Sequence, residues 1–340
     1  IQWVTGDIAC HQIRLVADHP ELELVGALVW HADKVGRDAG EIAGIGPVGV
    51  IATDDVDAIL ALDADVVLYN PPRERYDEVV RILASGKDVI SIMGGWNPRR
   101  YAIWPELHEA MEEGRSSLYG TGLNPGLSQE LAVLGSSLCH DIEAIRIKTC
   151  ERQSTMSPVF IEKFGFGRTE DELRDGEDGA AAIFENLLQI TDLVCDEVGL
   201  PRDDAHIEFD YEPATRTYDE KYVIEKGTMA GLVVRAQSTH QGVPRVSIEV
   251  RFLIGTDWVS PAFLADAPPV GWLEVEIDGT PHHRFFHEML EPEKIVRTRS
   301  TGTRAVNAIP TVCAAPPGLV LPSSVGMPRI HRRRVGSTPS

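Results

Sequence analysis

The chain has little with which to staple itself, cross a membrane or hold a polyanion. Its 340 residues include five cysteines, Cys10, Cys139, Cys150, Cys195 and Cys313. The count is odd, no C-x-x-C occurs and the spacing is wide, so they read as reduced thiols of a cytoplasmic protein rather than a disulfide framework. No apolar run approaches the ~20 residues of a membrane-spanning helix. Basic residues are scarce. The 32 Lys and Arg stand against 52 Asp and Glu, a net charge of −20, which disfavours nucleic acid and anionic membrane surfaces as partners. The basic cluster His331-Arg332-Arg333-Arg334 reads as a solvated, frayed end. An initiator methionine is also lacking; the chain opens inside an apparent strand, which points to a few native residues ahead of Ile1, and nothing present reads as a signal peptide. The histidines offer no metal site, since the neighbours His282 and His283 would point to opposite faces of a strand and His287 completes no zinc pattern.

What is present begins at once. Ile1 to Ala9 reads as a strand that turns on a glycine straight into a helix. The dinucleotide fingerprint G-x-G-x-x-[GA] falls on Val4, Gly6 and Ala9. Gly6 lets backbone approach a phosphate and Ala9 permits close helix–strand packing, while Val4 departs from the pattern. Helix 1 is expected over about Ala9 to His19, closed by Pro20. Leu22 to Val29 is a strand-length apolar run. Asp65–Tyr69, Asp88–Ile92 and Ser117–Gly120 are further strands, with helices at Tyr76–Ala84 and Trp104–Glu113. This alternation predicts an α/β fold, an N-terminal Rossmann domain with a doubly wound parallel sheet over residues 1–126. Ligands of such sheets sit at the carboxyl ends of the strands, which nominates the loops Val4–Ala9, Asn70–Arg73, Met93–Asn97 and Gly120–Gly126.

Beyond Gly126 the texture changes. Glu143–Glu151 alternates as a strand, Ser157–Phe164 reads as a short amphipathic helix, and Gly179–Val198 as a long one. Strands are expected at His206–Tyr211, Met229–His240, Val246–Ile254, Leu273–Ile277 and His283–Phe286. These make a C-terminal α+β domain over 127–302, expected to bind substrate and to dimerise. A helix in 303–320 is expected to return to the Rossmann domain, ahead of a tail over 321–340.

Several segments resemble one family. Trp3–Ala9, His19–Gly26, Lys34–Glu41, Gly120-Thr121-Gly122-Leu123-Asn124-Pro125-Gly126, Phe164–Gly167 and Arg304–Pro310 are together similar to the native amine dehydrogenases and 2,4-diaminopentanoate dehydrogenase. That group has a dihydrodipicolinate-reductase-like N-terminal domain. The resemblance implies NAD(P)-dependent reduction at a carbonyl or imine carbon, in a homodimer, with a small-molecule substrate in the cleft between domains. In members with amine dehydrogenase activity an acid in the loop after the fifth strand, in a run like T-R-G-E-F, handles the ammonia-derived nitrogen. Here the run is Ile92-Met93-Gly94-Gly95-Trp96, with Gly95 where the glutamate would be.

Candidate roles follow. Gly6, Asp7, Ile8 and Ala9 present N–H groups to the pyrophosphate at the positive end of helix 1. No acid closes strand 2 before Asp33, so His31, Lys34 and Arg37 are candidates for a 2′-phosphate. This tilts the cofactor toward NADP, with NAD the alternative. Tyr69, Asn70 and Pro71, with Met93 and Gly94, line the ribose and nicotinamide. Asn124 and, on the returning helix, Asn307 are candidates for the carboxamide. Gly95, Trp96 and Asn97, with Met156, Phe160, Phe164 and Phe166, form the candidate substrate wall, though a Phe stripe at helical spacing also suits a core. Tyr101 is a candidate proton donor, and Glu151 the alternative acid. Three readings remain open: an amine dehydrogenase or imine reductase, a carbonyl reductase indifferent to ammonia, and a nucleotide-binding sensor.

Overall fold

Short apolar runs ending at turn residues become parallel strands, and amphipathic segments between them become covering helices. The computed structural model describes residues 1–72, 74–154, 158–174, 184–290 and 298–324. The chain divides into two units, Ile1–Leu127 with Thr298–Ser340, and Ser128–Arg297.

In the first unit β1 (Gln2–Trp3) leads into α1 (Asp7–Asp18), then β2 (Ala27–Leu28), α2 (Ala39–Ala43) and α3 (Val56–Leu60). β3 (Val66–Tyr69), α4 (Tyr76–Ala84), β4 (Asp88–Ser91), α5 (Trp104–Gly114) and β5 (Ser117–Gly120) follow. Helix α1 buries Ala9, Ile13 and Val16, apolar positions one helical turn apart that together face the sheet. α1 starts at Asp7, two residues before the expected Ala9. The expected strand Leu22–Val29 pairs with β1 only through Ala27 and Leu28. It runs along the sheet's margin, with the isolated bridge Leu28–Thr53 beyond it.

From its second residue α6 (Leu127–Ser136) belongs to the second unit, and the strand β6 (Asp141–Arg152) follows it. Helices α7 (Pro158–Lys163), α8 (Glu170–Arg174) and α9 (Asn186–Val198) precede the strand β7 (Asp204–Pro213). β8 (Tyr218–Asp219) and β9 (Val223–Ile224) form a small hairpin, followed by β10 (Met229–His240) and β11 (Val243–Leu253). α10 (Pro261–Leu264), β12 (Trp272–Thr280) and β13 (His283–Glu288) complete it. The sheet order is β13-β12-β6-β11-β10-β7. It is antiparallel except where β6 lies parallel to β11. The expected helix start at residues 179–183 lies outside the described residues. The apolar stripe of α9, including Leu187, Ile190 and Val194, is buried.

The chain then re-enters the first unit as α11 (Thr298–Cys313) and the edge strand β14 (Gly318–Leu319). α11 crosses α1 closely: a Cβ on Gly302 would stand 2.8 Å from Ile8 Cγ2. The first sheet has the order β14-β5-β4-β3-β1-β2, all parallel. The chain reverses its direction of build between β1 and β3. At such a reversal the loops leaving the strands part and open a crevice for ligands.

Candidate functional site

The reversal point is flanked by the turn after β1 and the loop after β3. In the turn, Val4 occupies the left-handed region at φ 62°, a conformation costly for a β-branched residue and free for glycine. The fingerprint's first position therefore keeps its glycine-like backbone without its glycine. Gly6 caps α1 at φ −79° with no side-chain cap, and no atom lies within 4 Å of where its Cβ would stand. The N–H groups that open α1, at Asp7, Ile8 and Ala9, have no earlier turn to donate to. The result is a bare helix N-terminus with open space before it, which suits a phosphate.

In the short turn Ala32–Lys34 beyond β2, the Lys34 ammonium donates to the Thr5 carbonyl at 2.8 Å and to its hydroxyl at 3.2 Å. It is thereby drawn over the phosphate turn. His31 and Arg37 are exposed beside it. Asp38 accepts from the N–H groups of Gly40, Glu41, Val48 and Gly49, bonds that hold its carboxyl below the usual range, Val48's foremost. That acid is committed to the backbone. Cys10, beside the turn, faces the carbonyls of Thr5 and Ile42. Burial pushes its thiol up, against the lowered value that a helix N-terminus alone would favour.

After β3, Asn70 donates to Gln12 Oε1, while its own Oδ1 is buried without a donor among the described residues. Tyr69 is fully buried, its hydroxyl on Glu78 Oε2 at 3.0 Å, so only its backbone can line a ligand. Pro71 is buried. Glu74, which the sequence reading passed over, turns inward. A Cβ on Gly94 would fall on its carboxylate. Both its oxygens are shut off from solvent and neither reaches full hydrogen-bond geometry. Burial pushes the acid up to about 7, opposed by the Tyr76 and Ser91 hydroxyls and the Gly95 N–H turned toward it.

The loop after β4 explains that placement. Gly95 sits at φ 72° with an added Cβ 3.1 Å from Leu118, so this backbone rejects the side chain that the resemblance places there. A Cβ on Gly120 would lie 2.5 Å from the Trp96 N, which fixes the loop against β5. Trp96 and Asn97 are buried, 4% and 2% exposed, rather than walling an open pocket. Met93 is half-buried. Tyr101 packs its half-buried ring on Tyr76, centroids 5.8 Å apart.

Asn124 lies half-buried in the loop closed by Leu127 N donating to Gly122 O at 2.9 Å. On α11, Asn307 is half-buried one turn beyond Arg304, whose guanidinium meets Tyr119 and is pushed down by burial.

The second unit carries the remaining candidates. Glu151 lies on β6, its Oε1 3.5 Å from Thr149 Oγ1. Phe164 and Phe166 are each 5% exposed, and Phe164 packs edge-on against Phe184 and Phe252 at 5.0 and 5.5 Å. They are core residues rather than an open wall. Met156 and the Phe160 side chain lie outside the described residues. A cavity of about 220 Å³ instead opens among Arg152, Ser154, Tyr218, Glu220 and Trp258, and it is polar. His282 faces Glu276 at 3.1 Å and Asp278 at 3.6 Å. Among the described residues no cluster of three metal-ligating side chains occurs.

The chain was compared with known proteins. No family model matches it. It is 34% identical over 172 residues to an amine dehydrogenase of Streptomyces virginiae, covering 46% of each chain, so the match spans about half the length of that relative. It is 26% identical over 284 residues to 2,4-diaminopentanoate dehydrogenase of Acetoanaerobium sticklandii, covering 80% of this chain and 77% of that one. The structure of amine dehydrogenase from Mycobacterium smegmatis superposes with a TM-score of 0.78 over 97% of both chains, at 21% identity, and so shares the fold. The resemblance read from the sequence is to these same proteins.

Proposed function

We propose that the chain is an NAD(P)-dependent oxidoreductase that moves a hydride to or from the C=N or C=O carbon of a small hydrophobic substrate. The β1–α1 turn carries this reading. Its bare N–H groups and the open space at Gly6 fit a pyrophosphate, and the orphaned Asn70 Oδ1 fits a ribose hydroxyl or an amide donor. The similarity to two dehydrogenases supports it. When bound, the dinucleotide supplies the hydride; the protein's part is to orient it and to manage the proton. NADP is favoured over NAD because Asp38 is committed to four backbone N–H groups, while His31, Lys34 and Arg37 remain at the end of β2. The five free thiols fit a reducing compartment such as the cytoplasm, and a homodimer is the form the resemblance implies.

A second reading rests on Gly95. Without a side chain there to hold ammonium, the same fold serves as an ammonia-independent carbonyl reductase. Fluorescence titration with NADPH and NADH, then turnover of ketones and aldehydes with and without ammonia, tests both. Ammonia-dependent oxidation supports the amine reaction, and oxidation indifferent to ammonia supports the second reading. Absence of nucleotide binding overturns both.

A further inference from the structure

We propose that Trp30, braced by Arg75, is the platform on which the adenine of the dinucleotide stacks. The inference rests on the oxidoreductase reading and adds to it the residues that hold the adenosine end of the cofactor. The chain has six tryptophans, and Trp30 alone is exposed, at 46%. Exposure by itself marks nothing; the place of the ring does. In the sheet β1 lies between β3 and β2. Trp30 stands just past β2, and Arg75 caps α4 in the loop that leaves β3. The Arg75 guanidinium lies over the Trp30 ring, 5.9 Å from its centroid. The two loops that flank the β1–α1 turn therefore meet beside it, at the crevice where such sheets bind ligands.

The neighbours of Trp30 name the ligand group. His31 follows it directly, and Lys34 and Arg37 lie in the same loop. These are the groups assigned above to the 2′-phosphate, and the adenine is bonded to the ribose that bears it. A base whose ribose is read by this loop meets the Trp30 indole as its flat apolar surface. Arg75 is fixed in advance. It pairs with the buried Glu78 at 2.8 Å, and Glu78 accepts from the Trp3 indole N–H at 3.2 Å and the Tyr69 hydroxyl at 3.0 Å. The guanidinium is thus anchored to β1 and β3 through one carboxylate, and in turn holds the indole. A platform set before binding loses little freedom when the base arrives. Purines stack on indole and guanidinium planes. Stacking is indifferent to the 2′-phosphate, so Trp30 serves NADPH and NADH equally and leaves the choice between them to its loop neighbours.

The test uses the full chain as wild type, Trp30→Ala and Trp30→Phe. The probes are NADPH, NADH, 2′,5′-ADP, which is the adenosine end alone, and reduced nicotinamide mononucleotide, which has no adenine. Calorimetric titration reads each affinity. Trp30→Ala should melt within a few degrees of the wild type, because the ring is exposed. It should bind NADPH, NADH and 2′,5′-ADP roughly tenfold more weakly, the loss expected on removing one stacked base, and the mononucleotide within about twofold of the wild type. Trp30→Phe, which keeps a ring, should recover most of that loss. 2′,5′-ADP should also quench part of the wild-type tryptophan emission, and that part should be missing in Trp30→Phe. A Trp30→Ala chain that binds every probe as the wild type does, or a quench that persists in Trp30→Phe, overturns the proposal and leaves the dinucleotide reading in place. An equal loss for the mononucleotide also overturns it, since the damage would then lie in the turn and not at the base. A wild type that binds neither NADPH nor NADH overturns both.

Discussion

The Glu74 carboxylate rests against the α-carbon of Gly94, in the space a side chain at that position would fill. The two residues come from loops after different strands and depend on one another. Gly94→Ala should expel the carboxylate and cost about 1–3 kcal/mol, the usual range for overpacking a filled site. Glu74→Ala alone should cost less, because it removes an unpaired buried acid. The double variant should be more stable than the sum of the two singles predicts. Denaturant unfolding of the four proteins measures this; additive losses would show that the contact is not the cause. Gly95→Glu is a harsher change, since φ 72° and Leu118 both oppose it, and it should be destabilising rather than a restoration of the family's acid.

Glu74 and His11 should bend stability with pH in opposite senses. Glu74 is raised from 4.5 to about 7, so its native state holds a proton the unfolded chain releases. Stability is full below pH 4.5 and is lost as pH rises through 7, about 3 kcal/mol by linkage. His11 is lowered from 6.5 to about 4 by burial, then by Arg299 and Arg14. Its stability is present above pH 6.5 and is lost as pH falls through 4. Being only half-buried it should contribute about 1 kcal/mol after screening. Thermal melts from pH 4 to 8 should flatten on the alkaline side in Glu74→Gln and on the acid side in His11→Gln. Unchanged slopes would remove both assignments.

Much of the fold was legible in sequence because its signals are local. The apolar run closed by Gly120 and the alternation in Glu143–Glu151 announce strands, and Gly86 announces a helix end, without any distant contact. The dinucleotide turn was legible only in part. Val4 hides the first fingerprint glycine, and its positive φ is imposed by the surrounding core, which no local rule reads. Glu74 was illegible for a different reason. Set between Arg73 and Arg75, it looks like a solvated loop charge. Only the meeting of two loops, one stripped to Gly94 where the carboxylate lies, gives it an inward place. Phe164 failed in the opposite sense, because helical spacing cannot tell a pocket wall from a core that Phe184 and Phe252 complete from afar.

The cofactor preference should reside in Lys34 and Arg37. Lys34 is held over the turn by Thr5, and Arg37 is exposed. Replacing either with Ala should weaken NADPH about tenfold, the worth of one charged contact at a partly solvated site, and leave NADH within about twofold. Competitive fluorescence titration reads the ratio. Equal losses for both nucleotides would place the 2′-phosphate elsewhere.

Gly6 separates folding from binding most cleanly. Its φ of −79° is open to any residue, and nothing in the protein lies within 4 Å of an added Cβ. Alanine there should therefore fold normally, losing no more than about 1 kcal/mol as a poorer helix cap. The same methyl would stand where a pyrophosphate must approach the backbone. Gly6→Ala should hold its melting temperature within a few degrees and lose at least tenfold in NADPH affinity. A variant that binds as the wild type does would mean that the phosphate does not sit at this turn. A variant that fails to fold would mean that the space is filled by something other than a ligand. The expected split, intact stability with lost binding, is the one result that a purely structural turn cannot produce.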